Sequence, residues 1–131
     1  MAPTVERREL LAYLIGAGVA GTVLVFPYVG QGVAASVAPD FHQLTYVPFF
    51  LLPLAWGAWN WLYARLAPRA GIGAWGAVLG VVLASAVNLL LLAEGRWFQG
   101  ALLLPATLPA VYYLVWLYAV GTLNEALGIA R

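Results

Sequence analysis

The chain has no cysteine and no lysine, and only 8% of its 131 residues are charged. The lack of cysteine excludes disulfides, thiolate nucleophiles and cysteine-ligated metal centres. An ordinary soluble domain has roughly 25% charged residues, so this chain lacks the polar surface of a water-soluble fold. A net charge of +1 gives no electrostatic field for nucleic acid, which we therefore exclude as a partner. All six cations are arginine, which together with abundant Ala, Gly and Leu points to a GC-rich bacterial genome.

Four long stretches contain no Asp, Glu, Lys or Arg, and each exceeds the roughly 20 residues that a helix needs to cross a bilayer. In lipid a helix satisfies its own backbone hydrogen bonds, whereas an open strand does not. The sequence therefore predicts an all-α membrane protein, a single four-helix transmembrane bundle over residues 1–131. The predicted spans are roughly 10–33, 45–66, 72–93 and 100–123.

The arginines predict the orientation. Arg96 alone falls in the loop between spans 3 and 4, and the other five lie at the termini or between spans 2 and 3: Arg7, Arg8, Arg65, Arg69 and Arg131. Because arginine-rich ends stay on the cytoplasmic side, we expect both termini to be cytoplasmic and the protein to lie in the inner membrane.

Spans 2 and 4 share a sequence frame that suggests a repeat. Both begin with LLP, at residues 51–53 and 103–105, and both close with WLYA, at 61–64 and 116–119. Spans 1 and 3 are instead rich in small residues. The chain can thus be read as two tandem helical hairpins inserted the same way up, a 2+2 parallel repeat. The alternative is independent use of Trp and Tyr at the membrane interface.

Small residues four positions apart predict where helices pack closely. In span 3 a stripe of small residues at steps of four ends in an amide, Asn88. A second amide, Asn60, lies between two tryptophans in span 2. We interpret Asn60 as a hydrogen-bonding tie between helices near the cytoplasmic face. The predicted packing residues are Gly16, Ala20, Asn60, Gly76, Gly80 and Ala84.

Polar residues accumulate toward the outer side of the predicted bundle. They suggest an outward-opening vestibule around Asn88. The alternative is that they are solvated loop residues or form hydrogen bonds between helices. Pro27, followed by GQG at 30–32, offers a point where helix 1 could unwind. The candidates for a ligand site or pathway are Tyr28, Gln31, Asp40, His42, Ser85, Asn88, Glu94 and Thr107.

The chain carries no motif that names a reaction, and we assign no catalytic residue and no metal ligand. No cofactor is identifiable, although a lipid, a quinone or a pigment could contact the aromatic helices. The leading hypothesis is a non-catalytic component of a membrane assembly, either a homo-oligomer or a subunit beside partner membrane chains. Two alternatives remain: a small-solute transporter or channel whose pathway passes Asn88, and a lipid-modifying enzyme that uses Asp40, His42 and Glu94.

Overall fold

The computed structural model describes residues 4–66 and 69–129, so Arg131 lies outside the described residues. These residues form helices and turns with no strand among them, which confirms the all-α prediction. The α-helices are α1 (Val5–Val23), α2 (Val25–Val37), α3 (Leu52–Leu66), α4 (Ile72–Ala93), α5 (Leu103–Val115) and α6 (Gly121–Ala126). They are joined by the 3-10 segments Pro39–Tyr46, Phe49–Leu51 and Gln99–Leu102 and by the π-helical segment Trp116–Val120.

Within the described residues, three helical stretches are long and apolar enough to cross a membrane. They are Val5–Val37, Ile72–Ala93 and Gln99–Ala126, which contain 18-residue windows with mean hydropathies of 2.0, 2.3 and 1.6. The predicted span 45–66 is α-helical only from Leu52, which leaves α3 with 15 residues. Pro48 accounts for this late start: it lacks an N–H and holds the preceding Val47 in extended backbone (φ −77°, ψ 125°).

The first span is longer than the predicted 10–33 and is interrupted once, at Leu24 between α1 and α2. Pro27 has no N–H to donate to the carbonyl of Val23, and the interruption lies within that turn. The expected unwinding at residues 30–32 does not occur, because α2 continues to Val37. The chain therefore stays helical on both sides of Leu24 despite the missing hydrogen bond.

The helices form two hairpins, with α1 packed on α3 and α4 packed on α5 and the π-helical segment. Glycines permit the close approach in each. A Cβ added to Gly16 would collide with the backbone carbonyl of Trp56, and one added to Gly76 would collide with the side chain of Trp116. One added to Gly80 would lie 2.9 Å from the Leu108 carbonyl oxygen.

Both alanines in the predicted set of packing residues are buried. Ala20 in α1 is 1% exposed and Ala84 in α4 is 0% exposed. Each lies four residues after a glycine at a close helix contact, Gly16 or Gly80, and so shares that helix face. The stripe of small residues in α4 therefore faces protein over most of its length.

The π-helical segment keeps one face of the last helix turned inward. Tyr112, Trp116, Val120 and Asn124 follow each other at steps of four and are all buried. In an α-helix of 3.6 residues per turn, three such steps would rotate the side chain by about 120°. The segment contains the wider bond from the Gly121 N–H to the Trp116 carbonyl, which reduces this drift. Asn124 thus stays on the inner face.

One end of the molecule gathers the start of α1, the end of α3 and the C-terminal α6. The guanidinium of Arg8 donates to the Ala64 carbonyl at 3.3 Å, and α6 contacts α1. At the opposite end the 3-10 segments Pro39–Tyr46 and Gln99–Leu102 contact each other. A small apolar cluster of Leu44, Val47, Leu91 and Ala101 is buried there.

Candidate functional site

An elongated cavity of about 750 Å³ lies between the two hairpins. Helices α1 to α5 and the 3-10 segments around Pro39–Leu51 all contribute to its wall. Along α1 and α2 it extends from Ala20 to Ala34, about 21 Å at 1.5 Å per residue. Nearly all its lining side chains are hydrocarbon, and the polar ones are Gln31, Trp56 and Tyr112. The site is therefore a long apolar space with few hydrogen-bonding groups.

The cavity stays open because several side chains that line it are small and because α2 packs little on the other long helices. Ala20, Ala55 and Ala86 line the cavity from α1, α3 and α4, and their methyl groups do not fill it. Helix α2 packs chiefly on the 3-10 segment Pro39–Tyr46, and none of its residues is buried. On the α2 side, therefore, a single helix without buried residues forms the wall of the cavity.

Trp56 and Tyr112 form the principal polar contact on the cavity wall. The Trp56 indole nitrogen donates to the Tyr112 hydroxyl oxygen at 3.1 Å. The two rings meet edge to face with centroids 4.9 Å apart, and the Trp116 ring lies 5.9 Å from that of Trp56. Edge-to-face pairs are favourable arrangements for aromatic rings, so this contact both joins the hairpins and fixes the hydroxyl.

An amide pair, Asn60 and Asn124, lies one helical turn beyond Trp56 on α3, on the side of the chain termini. The Asn60 amide nitrogen donates to the Ala12 carbonyl at 2.7 Å and to the Asn124 side-chain oxygen at 2.9 Å. Asn124 returns a bond to the Asn60 oxygen at 2.9 Å, and both residues are fully buried. Asn60 therefore joins α1, α3 and α6. The sequence does not single out its partner Asn124, which lies just beyond the predicted span 100–123.

Trp59 and Trp75 tie α3 to α4 by a second reciprocal contact. Each indole nitrogen donates to the backbone carbonyl of the other tryptophan, at 2.9 and 3.1 Å. Their rings are stacked with centroids 4.8 Å apart. Both indole N–H groups are thus satisfied inside the protein.

The two WLYA segments occupy different environments. Trp61 is half-buried and donates to Glu9 at 3.0 Å, whereas Trp116 is fully buried. Tyr63 is 1% exposed, whereas Tyr118 is 69% exposed. The contacts instead pair Gly16 with Trp56 and Gly76 with Trp116, each 40 positions apart in the numbering. Any correspondence between the hairpins therefore follows these contacts and not the WLYA frame.

The side chain of Asn88 forms its hydrogen bonds within the second hairpin. Its amide nitrogen donates to the carbonyls of Ala84 and Ala101 at 3.0 and 3.1 Å, and its oxygen accepts the Trp97 indole N–H at 2.9 Å. These bonds fasten the connection between α4 and α5. Asn88 does not line the cavity.

The remaining candidates within the helices do not gather around one space. Gln31 lines the cavity, and its side-chain oxygen is buried without a partner among the described residues. Tyr28 packs edge to face on Phe49 at 5.7 Å. Ser85 and Thr107 are exposed, and the Thr107 hydroxyl donates to the Leu103 carbonyl at 2.7 Å. Only Gln31 of the predicted set therefore belongs to the cavity.

The loop candidates Asp40, His42 and Glu94 are all exposed. His42 Nδ1 lies 2.6 Å from the Pro39 carbonyl oxygen and accordingly donates to it, which leaves Nε2 to accept from the Gln43 amide at 3.1 Å. In the part of the chain that the structure describes, no group of three or more His, Cys, Asp or Glu side chains could hold a metal ion.

The sequence analysis assigned ligand contact to the aromatic helices as a whole and did not single out Trp56 or Tyr112. A signal was present in the spacing: Tyr112 and Trp116 are four residues apart, as are Trp56 and Asn60, so each pair shares a helix face. Comparison with protein families, with curated proteins and with solved structures finds no match to this chain.

Proposed function

We propose that this protein is an integral inner-membrane protein that crosses the bilayer four times, with both termini in the cytoplasm. Three helical stretches have the required length and hydropathy. Helix α3 with the 3-10 turn Phe49–Leu51 before it would measure about 28 Å, close to the roughly 30 Å of the hydrocarbon core. The large apolar side chains that are exposed on α2, α4 and α5 would then contact lipid.

Within that setting, we propose that the protein is a non-catalytic holder of a lipophilic molecule: a lipid, a quinone or a pigment. The cavity between the hairpins is the observation that carries this proposal. Its volume of about 750 Å³ falls within the roughly 300–1,000 Å³ typical of ligand sites. An apolar wall excludes ions and polar solutes by their desolvation cost, so it favours a hydrocarbon ligand over a solute pathway.

In this proposal the chain performs no chemistry on the bound molecule. It serves as a component of a membrane assembly, either a homo-oligomer or a complex with larger subunits, and supplies the bound lipophile to that assembly. Because lipid surrounds every span, such a molecule can reach the cavity from the membrane.

The test uses a diazirine derivative of hexadecane as a photoreactive probe on the detergent-solubilised protein. Peptide mapping after illumination should find saturable labelling, one probe per chain, on the cavity-lining parts of α4 and α5. Ala86 lines the cavity, so Ala86→Phe should lower probe affinity about fivefold or more, a loss of about 1 kcal/mol from overpacking.

Ala74→Phe is the matched control, because Ala74 is exposed on the same helix and does not line the cavity. Its labelling should equal that of the unmodified protein. Labelling that does not saturate and is the same in both variants would be ordinary contact with the detergent belt, and the proposal would be wrong.

A further inference from the structure

The direction of the bond between Trp56 and Tyr112 leaves one proton without an acceptor. An indole N–H can only donate, so the Tyr112 hydroxyl oxygen must be the acceptor in this contact. The hydroxyl proton of Tyr112 therefore points elsewhere. Among the described residues, none accepts a hydrogen bond from it.

This unused donor lies at the wall of the cavity. Tyr112 is 7% exposed and lines the cavity beside hydrocarbon neighbours such as Leu108, Val111 and Val115. A buried donor without an acceptor costs about 1–3 kcal/mol. A ligand that fills the cavity can remove this cost by supplying an acceptor at the hydroxyl.

The required ligand group is an acceptor in a largely hydrocarbon molecule. A carbonyl oxygen fits this description, because it accepts a hydrogen bond without bringing a second donor that the apolar wall would leave unpaired. The length of the cavity, about 21 Å along α1 and α2, leaves room for a chain that extends from the carbonyl toward Gln31.

We propose that the cavity binds a carbonyl-bearing lipophile whose carbonyl oxygen accepts a hydrogen bond from the Tyr112 hydroxyl. A quinone ring and the ester of an acyl lipid share this chemistry. The inference rests on the proposed function, since it names the class of molecule that the cavity would hold. It involves no covalent or redox step.

The test is competition against the photoreactive hexadecane probe. Decylubiquinone supplies a quinone carbonyl, methyl palmitate supplies an ester carbonyl, and plain hexadecane supplies neither. One of the two carbonyl compounds should compete about threefold to tenfold more strongly than hexadecane, the effect of one hydrogen bond. Stronger competition by decylubiquinone assigns a quinone, and stronger competition by methyl palmitate assigns an acyl ester.

Tyr112→Phe should abolish this advantage and leave competition by hexadecane unchanged. Tyr113→Phe is the matched control: Tyr113 is the next residue on α5, is 43% exposed and does not line the cavity, so the advantage should remain. In the unmodified protein, the infrared band of ¹³C-labelled methyl palmitate carbonyl, or of the corresponding quinone carbonyl, should move to lower frequency on binding. This measurement decides the question even if Tyr112→Phe fails to fold.

Carbonyl compounds that compete no better than hexadecane in the unmodified protein would overturn the inference while the cavity proposal stands. An advantage that persists in a folded Tyr112→Phe variant would overturn it as well. If the hexadecane probe itself fails to label the cavity, the proposed function fails, and the two failures are thereby distinguished.

Discussion

Asn60 and Asn124 each complete the hydrogen bonding of the other in a place that water does not reach. Together with the Ala12 carbonyl they make three interhelical bonds. Because an amide left alone at this position keeps its desolvation cost without its partner, the two side chains are expected to behave as a unit in stability measurements.

We predict that Asn60→Leu lowers the free energy of unfolding by about 2 kcal/mol, from three bonds at about 0.6 kcal/mol each. Asn124→Leu loses two of these bonds and should cost about 1 kcal/mol. The double variant loses only the same three bonds, so its cost should be near 2 and not 3 kcal/mol. Sodium dodecyl sulfate titration followed by circular dichroism measures these free energies.

Asn88→Leu supplies the control for this cycle, because Asn88 bonds within the second hairpin at the opposite end of the molecule. Combined with Asn60→Leu it should give additive losses, as distant sites do. Additive losses for Asn60 and Asn124 themselves would show that the amide pair does not form in solution.

The sequence predicts Asn60 as a tie between helices, but it does not identify Asn124 as the partner. Counting 1.5 Å per residue places Asn60 near one face of the membrane, and Asn124 at the end of a span. That Asn124 turns inward depends on the π-helical segment Trp116–Val120, which sequence periodicity does not reveal. Spacing likewise shows only that Tyr112 shares a helix face with Trp116 and Trp56 with Asn60, and not that these faces meet at a cavity.

At the scale of the elements, the spans follow from the distribution of charge while their details follow from proline. The predicted span 72–93 coincides with α4, which contains no proline. Pro48 delays the start of α3, and Pro27 lies in the turn where the first helix is interrupted. Hydropathy locates an apolar stretch but not the ends of the helix within it. Those ends depend on which backbone carbonyl loses its hydrogen-bond donor at a proline.

We predict that Gly16→Ala and Gly76→Ala each lower the free energy of unfolding by about 1–3 kcal/mol, the usual cost of overpacking. The added methyl group would collide with the Trp56 carbonyl in the first hairpin and with the Trp116 side chain in the second. Both contacted groups are buried and cannot move away without separating the helices. The same detergent titration measures the loss.

Gly18→Ala is the matched control, because Gly18 is in α1 and a Cβ there meets nothing within 4 Å. Alanine is the better helix former by about 1 kcal/mol, so this variant should be as stable as the unmodified protein or more stable. Equal effects at Gly16 and Gly18 would mean that α1 and α3 do not approach as closely as described.

At the scale of the whole molecule, the two ends differ in charge and in construction. The end that gathers the start of α1, the end of α3 and α6 carries Arg8 and Arg65. The opposite end carries Arg96, which lies 3.6 Å above the ring of Tyr46 and is thus held against the protein. The positive-inside rule accordingly predicts that the first end lies in the cytoplasm.

The absence of cysteine allows this orientation to be measured with single introduced thiols. We predict that Thr45→Cys, in the exposed part of the segment Pro39–Tyr46, reacts with a membrane-impermeant maleimide in intact cells. Arg69→Cys, at an exposed position shortly before α4, should react only after the membrane is permeabilised. We expect this outcome because five arginines lie at the termini or between spans 2 and 3, whereas only Arg96 lies between spans 3 and 4. The opposite orientation would require the five to cross the membrane.

Arg69→Cys removes one of those arginines, so Ala70→Cys, exposed beside it, repeats the measurement with the charge intact. Reaction of both Thr45→Cys and Ala70→Cys in intact cells would mean that α3 does not cross the bilayer. The reverse pattern would mean that the chain is inserted the other way up. Because α3 has only 15 residues, this pair of thiols tests the crossing that length alone supports least.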